Sequence, residues 1–130
     1  MLFRSGGWQN SGRVSGREVG VWGANDVLNT ETGQVVASER AVVLSDGGIV
    51  NDGDIWGTAN VVMQSNGLTN TGTVATNGNL AVTGTTFEND GNMLGNQTDV
   101  MMSGDVTNTG TVQGASRLLV VGEEIGRAHV

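Results

Sequence analysis

The chain has 130 residues, of which 22 are Gly, and it has no Pro, Cys or Tyr; its formal net charge is −7. Without Cys there is no disulfide and no thiolate metal site, and no apolar run approaches the ~20 residues of a membrane-spanning helix. A net acidic chain is also a poor partner for nucleic acid, since affinity there comes from neutralising phosphates, and so many Gly residues disfavour helix, where each costs about 1 kcal/mol.

The first predicted element is not protein structure. Leu2-Phe3-Arg4-Ser5 can be encoded by CTC TTC CGA TCT, and the reverse complement of that string contains ATCGGAAGA, which encodes Ile125-Gly126-Arg127. Ala128-His129-Val130 extends the same DNA, which resembles a sequencing-library adapter. Residues 1–5 and 125–130 are therefore expected to be adapter read-through, with Met1 an alternative start. Natural sequence then runs over 6–124. This segment holds four Arg against all 13 acidic residues, a net charge of −9, and loses the lone His129.

Along 6–124 one unit recurs six times. Its first copy centres on Asn10-Ser11-Gly12. The second is stretched by two residues, Asn29-Thr30-Glu31-Thr32-Gly33. Asn51-Asp52-Gly53, Asn70-Thr71-Gly72, Asn89-Asp90-Gly91 and Asn108-Thr109-Gly110 follow. Successive Asn residues are 19 apart, except for 22 between Asn29 and Asn51. Two residues before each Asn stands an apolar residue: Trp8, Val27, Ile49, Leu68, Phe87 and Val106. Two residues after each Gly stands another: Val14, Val35, Ile55, Val74, Met93 and Val112. Four residues after each Gly the chain is nearly always small: Gly16, Ala37, Gly57, Thr76, Gly95 and Gly114. A further alternating stretch fills each unit, read as Val61 and Met63, Leu80 and Val82, Val100 and Met102, and Leu118 and Val120.

Apolar–polar alternation over about five residues is the period of a strand. Gly and Asn punctuate the stretches and are expected to supply positive φ at turns. Nineteen residues hold two or three short strands, and one such unit cannot bury its own apolar face. Stacked units can, each strand pairing in parallel with its equivalent one coil along. The fold class is thus an all-β parallel solenoid of about six coils, a piece of a longer rod, roughly 29 Å long at ~4.8 Å per coil. The Asn column is expected to form an amide ladder, and the extra residues between Asn29 and Gly33 to protrude as a surface loop. An isolated piece is expected to associate through its open coil ends.

Repeats such as Leu68-Thr-Asn-Thr-Gly-Thr-Val74 followed by Asn79-Leu-Ala-Val-Thr-Gly84 resemble the filamentous-haemagglutinin repeats of Gram-negative two-partner secretion exoproteins, with autotransporter passengers as a neighbouring family of similar composition. The resemblance spans residues 8–122. It implies a right-handed β-helix secreted through an outer-membrane pore and serving as an adhesin or as the stalk of a contact-dependent toxin, at the cell surface or outside the cell. The partners it implies are flanking coils, the secretion pore, and a host or neighbouring cell. None of the family's secretion or tip motifs is present, so no functional residue carries over, and no catalytic, cofactor or metal site is assigned.

Other chemistry reads weakly. Asp52, Asp54 and Asp90 raise calcium, but a hard cation wants several oxygens at once, and with Asp26 and Asp46 they read as turn carboxylates. Scattered acids without His or Lys fit a polysaccharide-degrading β-helix enzyme poorly. The pairs Thr71/Thr73 and Thr109/Thr111 raise an ice-binding face, yet Ser11, Asp52 and Asp90 share the column. Asn96-Gln97-Thr98 is a formal glycosylation sequon. Trp22 and Trp56 lie outside the core columns and are expected to be partly buried against neighbouring coils.

Overall fold

The computed structural model describes residues 2–126, with side-chain surroundings over 6–123. Met1 and residues 127–130 of the expected adapter segments lie outside the described residues. The strands in chain order are β1 (Leu2–Ser5), β2 (Trp8–Asn10), β3 (Arg13–Gly23), β4 (Val27–Asn29), β5 (Gln34–Ser45), β6 (Gly48–Asn51), β7 (Asp54–Gly57), β8 (Asn60–Asn70), β9 (Thr73–Thr76), β10 (Asn79–Asn89), β11 (Asn92–Met102), β12 (Asp105–Asn108), β13 (Thr111–Val121) and β14 (Glu124–Gly126). All fourteen join one hydrogen-bonded sheet. Every pairing is parallel, and each joins one coil to the next. The chain is therefore a parallel β-solenoid of about six turns of roughly 19 residues.

Each turn has three sides. Side A precedes the Asn, and its inward column runs Trp8, Val27, Ile49, Leu68, Phe87, Val106 in register. Side B follows the Gly, and its column runs Val14, Val35, Ile55, Val74, Met93, Val112. Side C carries two inward columns. One runs Val21, Val43, Met63, Val82, Val100, Val120, and the other Val19, Ala41, Val61, Leu80, Thr98, Leu118. These columns meet in one continuous core, with Trp8, Val14, Leu118 and Val120 packed at its margins. Six apolar columns of this kind are what a 19-residue unit cannot enclose alone and what stacking encloses completely.

The register corrects the sequence reading at one coil. Val100 and Met102 were expected to continue Leu80 and Val82, but the residues beside those two are Thr98 and Val100, and Met102 instead lies beside Gly84. The cause is a trade between corners. Eight positions separate Val74 from Val82, but seven separate Met93 from Val100; the next corner, from Val100 to Val106, is longer by one residue than that from Val82 to Phe87. The coil keeps its 19 residues while its third side slips by one. Thr98 then fills an apolar column, where its hydroxyl donates to the Gln113 carbonyl at 2.8 Å and so is not left unpaired.

Extra residues are absorbed at corners as well. Between Asn29 and Gly33 the chain makes a turn closed by the Gly33 N–H on the Thr30 carbonyl, and Glu31 and Thr32 stand exposed. The third additional residue of that coil lies in the bend Asp46-Gly47 ahead of β6.

Leu80 is 1% exposed within side C, whereas Thr85 is exposed and sits outside the register of β8 and β10. Leu80→Asp buries a charge in an apolar column and is expected to lower unfolding free energy by more than about 4 kcal/mol. Thr85→Asp is expected to stay within about 0.5 kcal/mol. Thermal melts of both variants check this, and equal losses would refute the register.

Candidate functional site

The feature that repeats most strictly is polar and buried. Asn10, Asn29, Asn51, Asn70, Asn89 and Asn108 are all buried at the corner between sides A and B. Each side-chain amide donates to the next coil's amide oxygen. Asn10 Nδ2 reaches Asn29 Oδ1 at 3.0 Å, Asn29 reaches Asn51 at 2.9 Å, and Asn51, Asn70 and Asn89 each reach the next at 2.8 Å. Asn70 Nδ2 also donates to the Gly72 carbonyl in its own coil and to the Asn92 carbonyl one coil on. Asn51 and Asn89 do likewise with Gly53 and Thr73, and with Gly91 and Thr111. The amide thus satisfies a corner where the backbone leaves the sheet ladder, which is why a short side chain with both donor and acceptor is needed there.

The glycine that follows has a different reason from the one expected. At Gly53, Gly72, Gly91 and Gly110 the backbone does not enter the left-handed region. Instead the coils approach too closely for a side chain. A Cβ at Gly91 would lie 2.1 Å from the Gly72 carbonyl oxygen, and one at Gly72 would lie 2.0 Å from that of Gly53. Gly12 has open space at the same place.

The exposed residue between Asn and Gly forms a second, outer row. Its members pair in twos across adjacent coils. The Thr30 hydroxyl donates to Ser11 Oγ, Thr71 donates to Asp52 Oδ1 at 2.6 Å, and Thr109 donates to Asp90 Oδ1. Asp52 and Asp90 are therefore engaged by hydroxyls two coils apart, and Asp54 is exposed on side B. Asp26 Oδ1 accepts the Gly48 N–H at 3.0 Å, and the Asp46 backbone carbonyl accepts Asn66 Nδ2. Among the described residues no three acidic or imidazole groups come together as a metal would require. Thr71 and Thr109 face this row while Thr73 and Thr111 face side B, in a column with Arg13, Gln34, Asp54 and Asn92. In the sequon, Asn96 is exposed but Thr98 is fully buried.

The charged pairs are peripheral. Arg17 and Glu39 approach to 2.8 Å on the surface, and the hydrogen bond from Glu39, then its charge, raises the Arg17 guanidinium above its usual value. Arg117 Nε lies 3.6 Å from Asp99 Oδ1, an oxygen that is buried without a hydrogen bond.

Side chains pointing outward were the part the sequence reading passed over. Trp56 is half-buried on side B in a column with Val36, Ala75 and Leu94. Its indole Nε1 donates to Thr58 Oγ1 at 3.1 Å, and it borders a 360 Å³ cleft with Arg13, Gln34 and Thr73. Trp22, Val42, Leu44 and Val62 are half-buried on the outside of side C, with Met101 and Val121 exposed farther along. The signal was available in the runs Ala41–Leu44, Val61–Met63 and Leu118–Val121, which are continuously apolar rather than alternating. No protein-family model, curated protein or solved structure matches the chain.

Two stability outcomes follow from this corner. Asn70→Ala removes one bond each from the buried Asn51 amide and the Asn89 oxygen, and is expected to cost about 3 kcal/mol in a denaturant titration, against less than about 1 kcal/mol for Thr71→Ala on the exposed row. Gly91→Ala forces a backbone carbonyl aside and is expected to cost about 1–3 kcal/mol, whereas Gly12→Ala is expected to be neutral or slightly stabilising; matched losses in calorimetry would refute the close-approach account.

Proposed function

We propose that the chain is a structural shaft segment of a large secreted or cell-surface bacterial adhesin or exoprotein, of the filamentous-haemagglutinin, two-partner secretion kind. Its role is non-catalytic: it extends or displays a tip that binds a host or neighbouring cell. The observation that carries this reading is the corner ladder running without a break from Asn10 to Asn108. A rod whose every coil spends its most constrained positions on bonding the next coil is built for length and stiffness. The lack of Cys fits a passenger that threads a pore unfolded, because no disulfide can form ahead of export.

Recovery of the source gene tests the reading. The expected result is an open reading frame that extends this repeat in register and carries an export domain on one side and a binding, barrel or toxin domain on the other. A purified longer protein that releases reducing sugar from polysaccharides would overturn it in favour of a β-helix hydrolase, and an isolated gene coding for a short soluble protein would overturn it as well.

A further inference from the structure

The outer surface of side C is the one place where the solenoid exposes both large apolar groups and a patterned charge. Reading outward positions coil by coil, the face begins with Glu18 and Trp22 on the first coil and ends with Arg117 and Val121 on the sixth. Met101 is 48% and Val121 42% exposed, the most exposed large apolar residues described. The acidic end and the basic end are at opposite ends of the same face. We propose that this face is an interface between two copies of the chain, packed side by side with the rods running in opposite directions, related by a two-fold axis parallel to the side C strands.

That axis sets the first coil of one copy against the sixth coil of the other and keeps the position along the strand. Glu18 then meets Arg117 of the second copy, and Trp22 meets Val121. Leu44 meets Met101 between the second and fifth coils, and Val62 meets Ala81 between the third and fourth. Asp99 falls opposite Val42, with the second copy's Arg40 diagonal to it, within reach across a paired surface. The two-fold makes every one of these contacts twice, so the same patch serves both copies. Running the rods in the same direction would set Glu18 on the partner's first coil and leave Arg117 without its acid. Six strands at ~4.8 Å and about 17 Å of strand length give roughly 500 Å² per copy, near the lower bound for a specific interface. The pair is therefore weak and concentration-dependent, with Kd about micromolar or higher.

Sedimentation velocity of the whole chain over a concentration series tests this. The expected result is a species of twice 13.4 kDa that saturates at that mass. Glu18→Arg turns two attractions into two repulsions and is expected to weaken the dimer about tenfold, as is Arg117→Glu. The double swap Glu18→Arg/Arg117→Glu is expected to restore it. Met101→Glu, at a site already in solvent, is expected to give monomer with an unchanged far-ultraviolet circular dichroism spectrum. A chain that stays monomeric at millimolar concentration overturns the proposal. So does a double swap that fails to rescue, or association that grows past the dimer and ignores the swaps, as contact through coil ends would.

Discussion

A residue in this chain has the same kind of residue directly above and below it, one coil away, at the ~4.8 Å spacing of paired strands. That repeat distance governs everything else. A side chain that fits a column once must fit it six times, so each column settles on one chemistry: small aliphatics inside, amides at one corner, glycine where two carbonyls nearly touch. Where the column's own chemistry is broken, the structure compensates locally. Thr98 stands in a row of Val and Leu, and its hydroxyl is absorbed by a backbone carbonyl of the following coil.

The corner between sides A and B shows how polar groups specify such a fold. Apolar columns tolerate substitution by any residue of similar volume, and they fix register only to the nearest pair of residues. An amide with two donors and an acceptor in fixed places does more. Each Asn ties its own coil's glycine carbonyl and the next coil's backbone to the same side chain. A slip of one residue would leave a chain of buried polar groups unpaired at once, and a half-satisfied network is costly. The corner thus sets the register, and the hydrophobic columns supply most of the stability once it is set.

This division explains what could be read from the sequence. The Asn, Trp8-to-Val106 and Val14-to-Val112 columns stand at fixed offsets from Asn-x-Gly and lie side by side in the structure. Side C lies beyond a corner that can gain or lose one residue without cost to the coil, so its columns are not at a fixed offset from the motif, and Met102 was assigned in place of Thr98. Its outward apolar groups were obscured for a related reason. A side buried within and partly covered without reads as an unbroken apolar run, and alternation no longer separates the two faces. The glycine rule was legible in position but not in cause, because a carbonyl from a neighbouring coil leaves no trace in local sequence.

The amide row also has a sense of direction. Backbone bonds between coils alternate up and down along each strand, and their dipoles largely cancel. The side-chain amides do not alternate: all five donate from the earlier coil toward the later one. The rod is therefore a vector, polarised along its axis by a file of aligned dipoles much as a helix is. Every coil is laid down on an acceptor-free, donor-bearing edge and leaves the same edge behind it, so growth in the order of the chain is electrostatically self-consistent, and each finished turn is a template of fixed polarity for the next.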